Sequence, residues 1–186
     1  IPSFSSKTFA RGSGFGPVFS FPASVSGFAP KRKIMRNVTI FTDGSCSHPG
    51  PGGWAASCAA MGMKGLSGGY AHTTNNRMEI MAAIAGLEVL KEPCAVTLYT
   101  DSQYLRHAVE KKWLAGWRKN GWKTAAKKPV KNRDLWERLQ VQLDRHSVTL
   151  EWVRGTTDTR ERTLRRACPQ QSARHGLPED TGYEPE

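Results

Sequence analysis

Two aspartates close two strand-like segments of the sequence, and both stand directly before a turn. Asp43 follows the alternating apolar run of residues 38–42 and precedes Gly-Ser, and Asp101 follows residues 96–100 and precedes Ser-Gln. In open α/β sheets ligands bind beyond the carboxyl ends of the strands, so the two carboxylates can meet if their strands are neighbours. A single aspartate after a strand is more often a turn or cap residue. The repeated arrangement therefore indicates a site.

A third carboxylate, Glu79, lies in a helical segment whose other faces are apolar. A glutamate in a helix is usually solvated, but burying one here is costly unless it binds a cation or hydrogen-bond donors. Three converging carboxylates repel one another unless a divalent cation lies between them, and oxygen-only ligands favour Mg²⁺ or Mn²⁺ over zinc. Asp43, Glu79 and Asp101 are therefore predicted to be catalytic residues that bind Mg²⁺, with Mn²⁺ as the alternative.

The elements that must position these carboxylates follow one another in the order β-β-β-α-β-α-basic segment-α-β. Alternating apolar residues predict the strands, and apolar residues at helical spacing, such as Ile80, Ile84 and Leu87, predict the helices. The predicted strands cover residues 38–43, 54–61, 65–73, 95–101 and 147–153, and the predicted helices cover 75–91, 102–113 and 132–146. This order indicates an α/β domain with a mixed five-stranded sheet and helices on both faces.

The chain is strongly basic, with a formal net charge of +11 from 27 Lys and Arg residues and 16 Asp and Glu residues. Residues 111–133 contain nine Lys and Arg residues, no acidic residue, and Trp113, Trp117 and Trp122. Lysines neutralise phosphates without reading sequence, and this segment is too one-sided for an ordinary solvated face. It therefore indicates a nucleic-acid partner. Trp113 is the candidate for substrate contact, whereas Trp117 and Trp122 also fit the core of a small helical subdomain.

Both ends of the sequence lack the pattern of a packed domain. Residues 1–36 contain six basic residues and no acidic one, are rich in Ser, Gly, Phe and Pro, and have neither helical nor strand period. We interpret them as a disordered basic extension or as upstream sequence that precedes a true start at Met35, and a transit peptide is the alternative. The domain is expected to cover residues 37–172, and the acidic tail at 173–186 is expected to be disordered.

Four cysteines are scattered along the chain, with no paired CxxC spacing and no Cys/His spacing typical of zinc. This favours free thiols in a reducing compartment, so we expect a cytoplasmic protein. No apolar run approaches the roughly 20 residues that span a bilayer, so no membrane association is expected. Nothing in the sequence implies an obligate protein partner, and we expect a monomer.

Five stretches of the sequence form long, ordered motifs between Asn37 and Gly155. They read FTDGSC…PGPGGWA, TTNNRMEIMAAI, LYTDSQY, WRKNGWKTAAKKPVKNRDLW and LEWVRG. Together they closely resemble type 1 ribonuclease H of the bacterial kind. The resemblance implies a ribonuclease H-like fold and an endonuclease that cuts the RNA strand of an RNA–DNA hybrid by two-metal-ion hydrolysis. It also implies that Asp43, Glu79 and Asp101 are three of the family's four metal-binding carboxylates.

The resemblance also assigns residues to the nucleic acid. Asn75, Asn76 and Gln103 match positions that hydrogen-bond in the minor groove of the hybrid, where amide side chains suit 2′-hydroxyls and base edges. A helix cap is the alternative for the two asparagines. Thr74 and Arg77 resemble the pocket that grips a DNA phosphate. Residues 111–133 match the family's basic protrusion, whose expected contacts are Trp113, Lys119, Lys127, Lys128 and Lys131.

The pattern departs from the family after Gly155. Where the family continues with a His on a flexible loop, this chain has Thr156, and ten residues later Arg166 stands at the position of the fourth metal-binding Asp. Neither residue can replace its counterpart. Threonine does not titrate near neutrality, and arginine places a cation where a ligand belongs.

The genetic code accounts for this departure. Residues 161–169, ERTLRRACP, can be encoded so that reading one base later gives Asn-Glu-Arg-Cys-Asp-Ala-Leu-Ala-Arg. This is the missing motif, with its Asp straddling the codons of Arg165 and Arg166, and nine matches in register are improbable by chance. We therefore interpret residues 156–170 as frame-shifted, with the frame restored near Gln171. Losing an apolar helix face there is expected to cost several kcal/mol of stability.

Two other functions fit parts of the sequence. The first is a catalytically defective hybrid-binding protein, because the basic segment persists while one metal ligand and the loop His are absent. The second is another nuclease of the same superfamily, such as an integrase or resolvase, although the NNRME and WKTAAKKPVKN stretches argue against a DNA substrate. The favoured prediction is a hybrid-specific, Mg²⁺-dependent ribonuclease that is impaired in this form.

Overall fold

A computed structural model describes residues 35–47, 50–58, 65–153 and 167–185. Most of the predicted basic extension lies outside these residues. So do Thr156, Arg166 and most of the stretch interpreted as frame-shifted. The interpretations of those segments therefore stay predictions.

Within the described residues, five strands form a single mixed sheet, as predicted. In chain order they are β1 (Arg36–Cys46), β2 (Gly50–Cys58), β3 (Leu66–Thr73), β4 (Cys94–Thr100) and β5 (Ser147–Trp152). Their order across the sheet is β3-β2-β1-β4-β5. β2 pairs antiparallel with β1 and β3, whereas β4 pairs parallel with β1 and β5. The carboxyl ends of β1 and β4 therefore lie at the same end of the sheet.

Alternating apolar residues along β1 and β4 form the buried face of the sheet. Val38 pairs with Val96 and Ile40 pairs with Leu98 across the parallel ladder, and all four side chains are at most 2% exposed. Successive side chains of a strand point to opposite faces. The face that carries these four residues is therefore the core face, and Thr39 lies on the other.

The described residues include the helices α1 (Asn75–Glu88), α2 (Gln103–Glu110), α3 (Trp113–Lys119) and α4 (Arg133–Arg145). α1 packs on β1 and β2 and buries Ile80, Ile84 and Leu87 completely. α4 packs beside α1 and adds Trp136 and Leu139 to the same core. The helical spacing of apolar residues thus predicted the buried faces correctly.

Two helix boundaries differ from the prediction. α1 ends at Glu88, before the predicted end at residue 91, because the chain tightens there and the Leu90 amide bonds to the Leu87 carbonyl at 3.1 Å. α3 was not predicted as a separate helix. Lys112 adopts a left-handed conformation with φ 54°, so α2 ends at Glu110, before the predicted end at residue 113, and α3 is a separate helix.

A short helical stretch, residues 167–172, lies on the other face of the sheet. Cys168 is fully buried there in a small cluster with Ala55 and Phe41. Gly53 on β2 permits this approach, because a Cβ at that position would overlap the carbonyl of Cys168. Helices therefore lie on both faces of the sheet, and the predicted α/β class is confirmed.

The acidic tail packs against the domain, contrary to the predicted disorder of residues 173–186. The Pro178 carbonyl accepts a hydrogen bond from the Ala71 amide of β3 at 2.9 Å. The Asp180 side chain is 7% exposed and pairs with a buried guanidinium at the start of α1. The composition of the tail gave a wrong prediction because one of its acidic residues, Asp180, forms a buried ion pair. The sequence around this residue resembles that of a solvent-exposed segment.

Candidate active site and nucleic-acid interface

The parallel pairing of β1 and β4 brings Asp43 and Asp101 to the same end of the sheet. Asp43 lies on β1 and is 9% exposed, and Asp101 directly follows the last residue of β4. The negative charges of both carboxylates act on Glu79. The structure thus brings the three predicted metal ligands into one neighbourhood.

Glu79 reaches this end of the sheet because α1 crosses β1 at a glycine. A Cβ at Gly44 would overlap the backbone nitrogen of Glu79, so the close approach requires glycine. The Glu79 side chain is 7% exposed, and its Oε1 accepts a hydrogen bond from Asn75 Nδ2 at 3.2 Å. Its Oε2 is buried and has no hydrogen-bond partner among the described residues.

The protonation of Glu79 reflects this environment. Burial, together with the negative charges of Asp101 and Asp43, raises the pKa of Glu79 to about 8. A buried, unpartnered carboxylate oxygen beside two further carboxylates is unfavourable in its charged form. A cation at this position would offset both costs.

The donor chemistry of the three carboxylates fits a hard divalent cation. All of their side chains offer oxygen, which is the ligand that Mg²⁺ prefers. As the side chains stand, however, no three His, Cys, Asp or Glu residues in the described ranges are grouped closely enough to hold a metal ion. Metal coordination therefore stays a prediction, supported by the donor chemistry and by the unpartnered oxygen of Glu79.

Hydrogen bonds fix the turn that carries Asp101. Trp152 Nε1 donates to the Asp101 carbonyl at 3.2 Å, and the Ser102 amide donates to Thr100 Oγ1 at 3.1 Å. Ser102 Oγ accepts from the Leu105 amide and caps α2. The backbone of Asp101 is therefore held in one direction at the end of β4.

Cys168 is a neighbour of the site that sequence reasoning missed. Its buried Sγ donates to the carbonyl oxygen of Asp43 at 3.2 Å. Burial raises the pKa of this thiol, and the negative charge of Asp43 raises it further, so the thiol stays protonated. No sequence signal marked this contact, because the residue lies in the stretch interpreted as frame-shifted.

The predicted minor-groove residues stand at the starts of α1 and α2. Asn75 and Asn76 form the exposed first turn of α1, and Gln103 is the exposed first residue of α2. Thr74 is the N-cap of α1, and its hydroxyl accepts from the Arg77 amide at 3.4 Å. The helix-cap alternative for the two asparagines is therefore wrong, since the threonine before them has that role.

Arg77 lies inside the protein. It is 2% exposed, and its guanidinium pairs with Asp134 at 2.6 Å and with Asp180 at 2.6 Å. Burial opposes the positive charge, but hydrogen bonds to both carboxylates raise the pKa of Arg77 above its ordinary value. We call these three residues the ion cluster. The predicted contact between Arg77 and a DNA phosphate stays a prediction, because in this structure its guanidinium binds carboxylates.

The basic segment combines inward-packed rings with outward-pointing lysines. The Trp117 ring lies between Trp113 and the fully buried Trp136, with centroid distances of 5.9 Å and 5.8 Å. Trp113 is half-buried, and Lys111 Nζ lies 5.7 Å from its ring centroid. Trp113 and Trp117 are both half-buried and pack against the core, and Trp113 also has a cation beside its ring. The lysines predicted to contact nucleic acid are all exposed, namely Lys119, Lys127, Lys128 and Lys131.

Comparison with known proteins finds relatives of one family. A family model described as RNase H matches residues 35–163. The chain is 65% identical over 153 residues to Ribonuclease H of Nitratidesulfovibrio vulgaris (strain DSM 19637 / Miyazaki F), a match that covers 80% of this chain and 97% of that relative. It is 49% identical over 154 residues to Ribonuclease HI of Vibrio parahaemolyticus, covering 82% of this chain and 99% of the relative.

Solved structures share the fold at low sequence identity. LC9-RNase H1, a type 1 RNase H with the type 2 active-site motif, superposes with a TM-score of 0.63 at 23% identity, covering 74% of this chain and 72% of that chain. The foamy viral protease-reverse transcriptase in complex with RNA/DNA hybrid gives a TM-score of 0.65 at 21% identity, covering 82% of this chain and 22% of that chain. At such identities the likeness shows the fold alone.

Proposed function

The chain belongs to the ribonuclease H family, and from this premise we propose that it is an endonuclease that hydrolyses the RNA strand of RNA–DNA hybrids. The observation that carries the proposal is the buried Glu79 carboxylate, whose unpartnered Oε2 lies in the negative field of Asp43 and Asp101. Such a set of carboxylate oxygens could hold the metal ions that hydrolyse a phosphodiester.

Asp43, Glu79 and Asp101 would hold Mg²⁺, and Mn²⁺ suits the same oxygen ligands. When bound, two such ions supply an activated water and stabilise the leaving 3′ oxygen. The chain's own contribution is orientation. β1 and β4 hold the two aspartates at one end of the sheet, and Asn75 orients Glu79 through a 3.2 Å hydrogen bond.

The surface beside the carboxylates suits the two strands of a hybrid. Asn75, Asn76 and Gln103 present exposed amides, which both donate to and accept from 2′-hydroxyls and base edges in a minor groove. Thr74 and Arg77 are proposed to serve a DNA phosphate. The exposed lysines of residues 111–133 would neutralise further phosphates without reading sequence.

Cleavage of matched substrates tests this proposal. A labelled RNA–DNA hybrid should lose its RNA strand in Mg²⁺, whereas duplex DNA and duplex RNA of the same sequence should stay intact, and EDTA should stop the reaction. Asp43→Asn should lower the cleavage rate by more than about a hundredfold, because losing even an outer contact of a metal site costs 10–100-fold. Hybrid affinity in EDTA should change little. Cleavage by this variant at the parental rate would remove Asp43 from the metal site.

A hybrid-binding protein without cleavage is the second candidate. Thr156 and Arg166 favour it, because they stand at the positions of the loop His and the fourth carboxylate. A filter-binding titration run beside the cleavage assay separates the two functions. Tight hybrid binding without product would support the second candidate and overturn the nuclease.

We propose further that the chain is a monomer that acts in the cytoplasm. Its four cysteines are all unpaired, as expected in a reducing compartment. Size-exclusion chromatography with light scattering tests the monomer, since a dimer would double the mass.

None of the helices in the described ranges combines the length and the apolar character that crossing a membrane requires.

A further inference from the structure

Asp180 in the tail holds both sides of the segment that carries the predicted minor-groove contacts. Its Oδ2 accepts from Thr73 Oγ1 at 2.6 Å and from Arg77 Nε at 2.6 Å, and its Oδ1 accepts from Arg77 Nη2 at 2.7 Å. Thr73 is the last residue of β3, and Arg77 is the third residue of α1. The Asp180 carboxylate therefore bonds to both residues that flank residues 74–76.

These contacts are buried, which makes them strong and specific in geometry. Thr73 is fully buried, Arg77 is 2% exposed and the Asp180 side chain is 7% exposed. Charge-assisted, bidentate bonds between a guanidinium and a carboxylate fix orientation as well as distance. The junction between β3 and α1 is thus held from the tail.

The start of α1 supplies little restraint of its own. The cap bond from the Arg77 amide to Thr74 Oγ1 is long, at 3.4 Å, and the first turn contains no acidic residue. The orientation of this turn also affects the carboxylates, because Asn75 donates to Glu79. Asp180, which bonds to residues on both sides of this turn, therefore restrains the turn that would meet the hybrid.

We propose that Asp180 is a positioning residue for hybrid binding. By holding Thr73 and Arg77 it fixes Thr74, Asn75 and Asn76 in the orientation that receives the minor groove, and it does so without touching nucleic acid. The identity of the ligand as an RNA–DNA hybrid rests on the proposed function. The orientation itself is a property of the free protein.

Asp134 provides a matched control. It bonds to the same guanidinium, at 2.9 Å and 2.6 Å, and its described bonds to this junction go to Arg77 alone. Asp180→Asn and Asp134→Asn each remove one negative charge from the ion cluster with almost no change in size. A role in stability alone predicts that the two variants lose hybrid affinity in proportion to their loss of melting temperature.

The experiment measures hybrid affinity by fluorescence anisotropy in EDTA, thermal unfolding, and ¹H–¹⁵N spectra of the free protein. Asp180→Asn should weaken hybrid binding about tenfold, the loss of roughly one well-oriented contact, whereas Asp134→Asn should change it less than about twofold. The amide signals of residues 74–79 should move in Asp180→Asn. Thr73→Val, which removes only the buried hydroxyl, should reproduce part of the affinity loss with both ion pairs of Arg77 intact.

Two results would overturn the proposal. One is a loss of hybrid affinity that is equal in Asp180→Asn and Asp134→Asn at equal loss of melting temperature. The other is a spectrum of Asp180→Asn in which the signals of residues 74–79 do not move. If the parental chain does not bind hybrids, the proposed function fails, and the spectra of the free protein still decide whether Asp180 orients the turn.

Discussion

At the scale of single residues, Glu79 makes the metal-free protein sensitive to pH. Its pKa in the folded protein is raised from an ordinary 4.5 to about 8 by burial and by its two acidic neighbours. A group whose pKa is raised by folding stabilises the fold below its ordinary pKa and loses that contribution as the pH rises through the folded pKa. The free energy of unfolding should therefore fall between pH 4.5 and 8 because of this residue.

Glu79→Gln should remove this dependence. In EDTA at about pH 9 the variant should be more stable than the parental chain by about 2 to 4 kcal/mol, and the two should converge at about pH 4. Urea denaturation across this range measures the difference. Mg²⁺ should narrow it, because a bound cation favours the charged carboxylate. Parallel stability curves for the two proteins would mean that Glu79 does not titrate as its surroundings indicate.

The sequence predicted the site residues unevenly, for physical reasons. Asp43 and Asp101 could be placed because each follows an alternating apolar run, and this pattern is local, although β1 continues past Asp43 to Cys46. The contact of Cys168 with Asp43 could not, because it joins residues 125 positions apart through a backbone carbonyl. The burial of Arg77 had no local sequence signal, because pairing with two carboxylates distant in sequence is what allows its charge to be buried.

At the scale of elements, the basic segment should dominate the salt dependence of hybrid binding. Replacing Lys127, Lys128 and Lys131 by Gln should weaken binding and make the plot of log affinity against log salt shallower, by about 1 for each phosphate that is no longer neutralised. Lys91→Gln is the control, because this exposed lysine precedes β4 and so lies toward the amino end of that strand. An unchanged slope in the triple variant would show that the segment does not lie on the substrate.

The strands and the main helices could be predicted because apolar spacing records which face is buried. Leu135 and Leu139 stand four residues apart in the sequence, and both lie on the buried side of α4, where they are 7% and 1% exposed. The break between α2 and α3 could not be predicted, because a lysine at φ 54° has no sequence signature comparable to glycine. Local sequence patterns thus predicted the presence and type of each element better than they predicted its first and last residues.

At the scale of the whole molecule, the tail shows the limit of composition. Residues 173–186 were expected to be disordered, yet Thr73 and Asp180, 107 positions apart in sequence, share a 2.6 Å hydrogen bond. A buried arginine needs carboxylate partners, and a short stretch of sequence does not show which residues supply them. Polarity at the end of a chain therefore does not by itself indicate an unpacked segment.

Restoring the reading frame should increase the catalytic activity of the protein. Replacing residues 162–170 by Asn-Glu-Arg-Cys-Asp-Ala-Leu-Ala-Arg, which puts the motif's Asp at position 166, should raise the hybrid cleavage rate by more than about tenfold, because it returns a carboxylate to the proposed metal site. The same replacement with Asn in place of the motif's Asp is the control, since it restores the helix without the ligand. Equal rates in both proteins would show that the fourth carboxylate is not what limits this chain.

The bond between Ala71 and Pro178 has a consequence for self-association. β3 is the outermost strand on its side of the sheet, and an unprotected outer strand can recruit a strand from another molecule. Here the Ala71 amide already bonds to the Pro178 carbonyl, and a proline has no amide hydrogen with which to extend the ladder. The tail thus covers part of the outer edge of β3, and its removal would leave the Ala71 amide free to pair with a strand of another molecule.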